Sequence, residues 1–393
     1  MRNARRMANV DLREGLRAGL IDDSSRVEIR GEDVLAWAAR MNPVRVIPLG
    51  AFLLGITACS RSKPTGASDA PATHLSGSTK LNKLWDWNGI IGTGQSLGVG
   101  VEGLPLRATK PSYRNLKLDL GGRFLPATDD TSSRLSLVPL CEPIRPLAFG
   151  YPSPFPRNIL GETPHTCMAS QITAQVLAES GGKGDYVTVH SVVGESGHAL
   201  STIAKGAVPT DDTGHAYASS LFETRAITRL AKQARRSFGV SAIVLTHGES
   251  DAQNPAYEAG LGALLEDYNS DLLLITAQGR RVPLLLTQQS SCPTEPGAVA
   301  GSALAALQAC RAHPGEIVCA GPRYQYGYAV DGVHLDTLGY DRLGEKYGQV
   351  YFERVVLARD WRPLSPLALQ RSGDSISVEF HVPVPPLVWD EAL

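Results

Sequence analysis

The sequence predicts an α/β fold with three layers, α/β/α, in which helices cover both faces of a mainly parallel sheet of five strands. Five short apolar runs have strand length; they read NGIIGTG, YVTVHSVVG, VSAIVLTHG, RVPLLLTQQS and EIVCAG. Helix-like segments separate these runs, as they do in βαβ units. The runs are also apolar almost throughout, which is typical of parallel strands that are buried on both faces.

The helix-like segments carry start signals and amphipathic patterns. Thr163 is a candidate N-cap and Pro164 the first helical residue of TPHTCMASQITAQVLAES. In the segment SSLFETRAITRLAKQARRSF, Leu221, Ile227 and Leu230 share one stripe, and basic residues lie opposite. Because ligands of such sheets bind beyond the carboxyl ends of the strands, we expect the functional residues there.

The composition indicates a folded globular protein that has no nucleic-acid partner. The chain has 393 residues, of which 43% are hydrophobic and 20% are charged. The formal net charge is −1, whereas contacts with phosphates need a surplus of Lys and Arg on one face. No cofactor is expected, and no metal either, since no two cysteines form a close CxxC pair.

Residues 41–59 form a predicted signal segment. An apolar run follows Arg45 and is shorter than the about 20 residues that span a bilayer. The run ends in Ile56-Thr57-Ala58-Cys59, which resembles a bacterial lipobox. That resemblance implies cleavage before Cys59, attachment of lipid to its thiol, and anchoring of the protein to the bacterial cell envelope.

The other predicted segments surround one folded domain. Residues 1–40 are interpreted as an upstream extension that precedes an initiator at Met41, with a genuine cytosolic extension as the alternative. Residues 60–80 are rich in Ser, Thr, Pro, Gly and Ala, which is typical of a flexible linker. The folded domain is expected over residues 81–362.

Two stretches depart from the alternation of strand and helix. Residues 101–162 hold several prolines and are too long for an ordinary loop, so they predict an insertion that shapes a pocket. Residues 363–393 contain the alternating pattern SISVEFHVPVPPLVW. This pattern predicts a short C-terminal β segment, which either packs on the main domain or begins a truncated module.

The cysteines beyond Cys59 are odd in number. An exported protein reaches a compartment where disulfides persist, so at least one thiol stays free or pairs between chains. A disulfide between Cys292 and either Cys310 or Cys319 is one hypothesis. The cysteines are Cys141, Cys167, Cys292, Cys310 and Cys319.

The first strand runs into the glycine-rich stretch IIGTGQSLGVG, residues 90–100. A phosphate-binding loop is one interpretation. However, the spacing is G-x-G-x-x-x-G, no Lys-Ser/Thr pair follows, and Pro105 interrupts any long helix. We therefore interpret the stretch as a sharp turn that presents Ser96.

A nucleophilic serine needs a base to take its proton, and the base needs a carboxylate that orients it. Asp331 and His334 stand three residues apart in DGVHLDTLGY, in a turn that leads into a predicted helix. The alternative role for Asp331 is a helix N-cap, but Asp336 suits that position better.

Taken together, the strand ends resemble the motif blocks of the SGNH/GDSL hydrolase superfamily, in the branch of sialate O-acetylesterases and acetylxylan esterases. The resemblance spans residues 86–357, and the blocks occur in the expected order. It implies the SGNH/flavodoxin-like version of the fold and a carboxylic ester hydrolase. The matching blocks are Gly94-Gln95-Ser96, His247-Gly248-Glu249-Ser250-Asp251 and Asp331-Gly332-Val333-His334.

The resemblance also implies a role for each matching residue. Ser96 is the nucleophile, His334 is the general base and acid, and Asp331 orients His334. The backbone N–H groups of Ser96 and Gly194 are the first two donors to the oxyanion. Gln95 supports the nucleophile.

One position departs from the pattern of the family. The third oxyanion donor of this branch is a Gln, and here the position is His247. A neutral imidazole donates one hydrogen bond, so His247 either fills that role or faces elsewhere and leaves Ser96 and Gly194 to act alone. Glu249 is interpreted as a buried structural carboxylate, with a surface acid as the alternative.

Four further residues near the strand ends have two interpretations each. His198 either lines the pocket or lies on the surface. Tyr324, Tyr326 and Tyr328 form either a wall for stacking sugars or an edge strand with one packed face.

The sequence thus predicts an exported serine esterase that removes O-acetyl groups from carbohydrates through an acyl-enzyme intermediate. The expected partners are an acylated small molecule or polysaccharide and, through lipid on Cys59, a membrane surface. One alternative is an esterase or lipase that acts on other acyl esters. Another is a lipid-anchored glycan-binding protein that has lost catalysis.

Overall fold

A computed structural model describes residues 26–30, 81–122, 127–145, 161–211, 213–291, 300–373 and 375–385. The chain divides into two compact units, one spanning Ser76–Trp361 and the other combining Met1–Leu75 with Arg362–Leu393. The predicted signal segment with Cys59, the predicted linker and Cys292 lie outside the described residues. Cys310 and Cys319, which the disulfide hypothesis named, are free thiols.

The described elements are numbered along the chain. The strands are β1 (Arg26–Arg30), β2 (Trp87–Gly94), β3 (Leu116–Asp119), β4 (Ser136–Pro139), β5 (Val187–Gly194), β6 (Phe238–Thr246), β7 (Leu284–Gln288), β8 (Ile317–Pro322), β9 (Ser365–Ser372) and β10 (Ser375–His381). The α-helices are α1 (Pro164–Glu179), α2 (Leu200–Ile203), α3 (Ala216–Gln233), α4 (Tyr257–Thr276), α5 (Gly301–Ala312) and α6 (Thr337–Tyr351). None of these helices is long and apolar enough to cross a membrane.

The unit Ser76–Trp361 contains one sheet with the strand order β4-β3-β5-β2-β6-β7-β8. The five predicted strands are confirmed as β2, β5, β6, β7 and β8, and they run parallel. The predicted strand count of five is wrong, because β3 and β4 come from the expected insertion and add an edge, with β4 antiparallel to β3. Each of these strands has only four residues, LKLD and SLVP, which is too short to show a period.

The order β5-β2-β6-β7-β8 is that of a doubly wound sheet. The chain passes from β2 to β3, β4 and β5 on one side of β2, and then to β6, β7 and β8 on the other side. The carboxyl ends of β2 and β6 therefore border the crevice at which such sheets bind ligands. Ser96 follows β2 and His247 follows β6, so both belong to this edge.

Helices cover both faces of the sheet. Leu245 in β6 belongs to an apolar core cluster that includes residues of α3, α4 and α5. The next residue, Thr246, points to the opposite face, where its hydroxyl lies 3.1 Å from the hydroxyl of Tyr347 in α6. Helices α1 and α6 pack closely there, since a Cβ at Gly344 would lie 2.3 Å from the carbonyl oxygen of Pro164.

The other unit contains a three-stranded antiparallel sheet in the order β1-β10-β9. The hairpin of β9 and β10 agrees with the predicted C-terminal β segment. Strand β1 was not expected, and it pairs with β10 from Arg26 opposite Glu379 to Arg30 opposite Ser375. Cleavage before Cys59 would remove β1 and leave the hairpin.

Candidate active site

Ser96 stands directly beyond the carboxyl end of β2. The turn depends on Gly94, whose φ is +139° and at which a Cβ would lie 2.2 Å from the carbonyl oxygen of Thr246. Only glycine fits this conformation and this close approach. Ser96 then opens a single 3-10 turn, Ser96–Gly98, and is 4% exposed.

Asp331 and His334 form a hydrogen-bonded pair in the turn that precedes α6. His334 Nδ1 lies 2.5 Å from Asp331 Oδ2, and the N–H groups of Val333 and His334 donate to Oδ1 at 2.9 and 3.0 Å. Partial burial opposes ionisation of Asp331, but these hydrogen bonds outweigh it and lower its pKa. An ionised Asp331 accepts the Nδ1 proton, which leaves Nε2 of a neutral His334 as a base.

The segment that carries this pair packs against the chain that follows Ser96. Thr337 Oγ1 donates to the carbonyl of Pro105 at 3.2 Å, and the hydroxyl of Tyr340 donates to the carbonyl of Val101 at 2.7 Å. The N–H of Val101 in turn donates to the carbonyl of Ser96 at 3.1 Å. The start of α6 and the nucleophile turn are therefore joined through residues 101–105.

The side chains of Ser96 and His334 make no direct hydrogen bond within the described part of the chain. The structure thus brings their segments together without completing the contact through which a base would take the serine proton. Catalytic hydrogen bonds often tighten only when the substrate binds.

The two residues whose N–H groups were expected as oxyanion donors lie at the carboxyl ends of β2 and β5. Ser96 begins its turn, so its N–H has no partner within the turn. Gly194 ends β5 directly opposite Gly94, and the N–H of Glu195 donates to the carbonyl of Gly94 at 2.9 Å. In a parallel ladder, this bond directs the N–H of Gly194 away from β2, so the pairing of β5 with β2 leaves that N–H unused.

His247 does not offer a free donor. Its Nε2 lies 3.0 Å from the carbonyl oxygen of His198, and its Nδ1 lies 3.1 Å from the hydroxyl of Tyr257. A carbonyl only accepts, so Nε2 carries the proton and Nδ1 accepts from Tyr257. Burial lowers the pKa of His247, and the neutral ring has no second N–H. This geometry favours the alternative in which the ring faces elsewhere.

The side chains of Gln95 and Glu249 are buried and bond to neighbouring segments of the site. Gln95 is buried, and its Oε1 accepts the N–H of Ser250 at 3.2 Å. Glu249 is buried and forms an ion pair with Arg323, which is 0% exposed. This agrees with a structural carboxylate at Glu249. Sequence reasoning missed Arg323, because an arginine beside three tyrosines carries no signal of burial.

The three tyrosines do not form one wall. Tyr324 is 41% exposed, Tyr326 is buried, and Tyr328 is half-buried with its hydroxyl bonded to Ser290 Oγ. The segment is not an edge strand either, since Tyr328 makes a single isolated bridge to Leu335. His198 is half-buried, and its backbone carbonyl accepts the hydrogen bond from His247 Nε2.

The described residues contain no group of three or more His, Cys, Asp and Glu side chains that is arranged to hold a metal ion. The groups that the structure places at this edge of the sheet are a serine, an imidazole, a carboxylate and backbone donors. That set suits acyl transfer.

No protein-family model and no curated protein matches the chain. Several solved structures are similar to it. A protein from Arabidopsis thaliana is 17% identical with a TM-score of 0.48, over 69% of this chain and 99% of that one. A carbohydrate acetylesterase from Xanthomonas citri is 11% identical with a TM-score of 0.42, over 74% of this chain and 72% of that one.

A carbohydrate acetylesterase from Sinorhizobium meliloti is 13% identical with a TM-score of 0.36, over 67% of this chain and 97% of that one. All three TM-scores are below 0.5, and such distant likeness leaves function to be argued from the site residues of this chain.

Proposed function

We propose that this chain is an exported serine esterase of the SGNH type that removes O-acetyl groups from carbohydrates. One observation carries the proposal: Asp331 holds the Nδ1 side of His334, on a segment that is joined to the turn of Ser96. A serine at a strand end and a base with a fixed tautomer are the groups that nucleophilic acyl transfer needs.

The reaction proceeds in two halves. Ser96 Oγ attacks the carbonyl carbon of the acetyl ester and passes its proton to His334 Nε2, while the N–H groups of Ser96 and Gly194 stabilise the oxyanion. His334 then protonates the departing sugar oxygen, and Ser96 remains acetylated. Water attacks this ester with His334 again as the base, and acetate and free Ser96 result.

Lipid on Cys59 would hold the enzyme at the bacterial cell envelope, where an acylated polysaccharide or small molecule is the substrate. The near-neutral net charge of −1 suits an uncharged ester better than a nucleic acid.

A second candidate is an esterase for longer acyl chains. The observation in its favour is that two apolar side chains near the Asp331–His334 pair are exposed. Val330, which precedes Asp331, is 98% exposed, and Leu104, which precedes Pro105, is 62% exposed. An acyl chain could bury this surface. The p-nitrophenyl esters of acetate, butyrate and octanoate separate the candidates, because an acetylesterase loses rate sharply at butyrate.

The test of the proposal is hydrolysis of p-nitrophenyl acetate and of acetylated xylan by the Ser96→Ala variant. The exposed serine in Ser201→Ala is a matched control. Loss of hydrolysis in the first variant alone is expected. Equal hydrolysis by both variants would refute the assignment of Ser96. Binding of the polysaccharide without any hydrolysis by the parent would favour a glycan-binding protein.

A further inference from the structure

Arg323 connects the Asp331–His334 segment to the rest of the site. It follows β8 and is 0% exposed, which makes it one of the largest fully buried side chains described. Its backbone N–H donates to the carbonyl of Gln288 at the end of β7, at 3.1 Å. An arginine is almost never buried completely unless its charge is paired, so we expect groups that pair with Arg323 beside it.

The side chain of Arg323 reaches the loop that follows β6. Its Nη2 donates to the carboxylate of Glu249 and to the carbonyl oxygen of His247, the latter at 3.3 Å. The N–H of Ser250, next in this loop, donates to Gln95 Oε1 at 3.2 Å. Gln95 directly precedes Ser96. Residues 247–250 are therefore hydrogen-bonded to Arg323 on one side and to the residue beside the nucleophile on the other.

The backbone of Arg323 is tied to His334 in the same way. The N–H of Tyr326 donates to the carbonyl of Arg323 at 3.1 Å, and the N–H of Ala329 donates to the carbonyl of His334 at 2.8 Å. Tyr328 also pairs with Leu335. The segment from Arg323 to Leu335 is thus held by hydrogen bonds among its own residues.

The pair of Arg323 and Glu249 is imperfect as a stabilising contact. Within the described residues, Arg323 Nε and Nη1 and Glu249 Oε2 have no hydrogen-bond partner. Buried ion pairs often stabilise a fold no better than apolar residues of the same volume, and in some proteins they select one arrangement of the groups around them.

We propose that Arg323 is a positioning residue, which fixes the distance between His334 and Ser96 by holding the β6 loop against the His334 segment. This inference rests on the proposed function. It assigns to Arg323 an effect on the chemical step, because a misplacement of about 1 Å costs roughly 10²-fold in rate.

The chain offers a matched control. Arg145 is also buried and forms an ion pair with the buried Glu223, which lies in α3. If both buried arginines contribute only to stability, Arg145→Met and Arg323→Met would lower the melting temperature and leave kcat similarly unchanged.

The experiment compares Arg323→Met, Arg323→Lys and Arg145→Met with the parent in three measurements. These are kcat and KM for p-nitrophenyl acetate, the rate at which a fluorophosphonate labels Ser96, and the melting temperature. Both methionine variants should melt at lower temperature. Only Arg323→Met should lose about 10²-fold in kcat and in labelling rate, with KM unchanged. Arg323→Lys keeps the charge without the planar fork and should recover only part of the rate.

A folded Arg323→Met variant with the kcat of Arg145→Met would overturn the inference. If Arg323→Met does not fold, Glu249→Leu decides, because it removes the oxygen that accepts from Arg323 Nη2. Parental kcat in that variant would overturn the inference as well. A parent that neither hydrolyses the ester nor becomes labelled would refute the proposed function and this inference together. An active parent with active Arg323 variants refutes the inference alone.

Discussion

His334 Nδ1 lies 2.5 Å from Asp331 Oδ2, and both residues belong to the same short turn. The other carboxylate oxygen accepts two N–H groups of that turn. The carboxylate is therefore fixed by its own backbone, and the imidazole is oriented without help from a distant element. The three-residue spacing suggested this pair, and the resemblance to the SGNH/GDSL motif blocks gave it a role.

The substitution Asp331→Asn should remove the charge that holds the Nδ1 proton. The amide that replaces the carboxylate can donate to Nδ1 of His334 and so favour the tautomer in which Nε2 carries the proton and cannot act as a base. We therefore expect kcat for p-nitrophenyl acetate to fall roughly 10³–10⁴-fold. Asp360→Asn, at an exposed position, serves as the control and should retain the parental rate. A folded Asp331→Asn variant with more than a tenth of the parental kcat, about 1.4 kcal/mol, would argue against the pair.

The bonds of His247 to His198 and Tyr257 predict a small effect of His247→Ala on catalysis. Loss of a true oxyanion donor costs roughly 10²–10³-fold in kcat. We expect a change in kcat of less than about tenfold, accompanied by a lower melting temperature because two buried hydrogen bonds are lost. A kcat loss of the larger size at unchanged stability would restore His247 as the third donor.

The histidines His165 and His190 predict a loss of stability in acid. Their Nδ1 atoms are 3.1 Å apart, and burial lowers the pKa of His165 to about 3 and that of His190 well below 6.5. Both rings are neutral in the folded state and bind protons once unfolded. Stability is therefore complete above about pH 6.5 and falls as the pH drops toward 3.

Urea unfolding at a series of pH values measures this dependence. His190→Gln removes one of the two titrating rings and should give a shallower fall of the unfolding free energy between about pH 6.5 and 5. An identical slope in the parent and the variant would contradict the role of the pair.

The lipobox-like sequence predicts a mature protein that begins at Cys59 with attached lipid. Intact-mass measurement of the protein from bacterial membranes should show this terminus, and Cys59→Ser should abolish both cleavage and lipid attachment. Such a mature chain lacks Arg26–Arg30 and thus β1. A mature protein that retains residues 26–30 would contradict the predicted cleavage.

The parts of the fold that were predictable have long, uniform sequence patterns. The buried parallel strands β2, β5, β6, β7 and β8 read as apolar runs, and Thr163 with Pro164 marked the start of α1, where the Thr163 hydroxyl accepts the N–H of His165. Asp336 was likewise expected as a cap, and its side chain accepts the N–H of Gly339.

The parts that were missed depend on contacts between distant residues. Strands β3 and β4 are too short to show periodicity and form only because each finds a partner in the sheet. The direction of the His247 ring is set by Tyr257 and by the carbonyl of His198. The burial of Arg323 is set by Glu249. No local pattern encodes these pairings.

The most direct test of the account is labelling of the parent protein with a fluorophosphonate, followed by mapping of the modified peptide. The proposed nucleophile predicts one phosphonylated residue, Ser96, and parallel loss of ester hydrolysis as labelling proceeds. The Ser96→Ala variant should remain unlabelled, whereas Ser201→Ala should label like the parent. An unlabelled parent, or a label on any serine other than Ser96, would contradict the account.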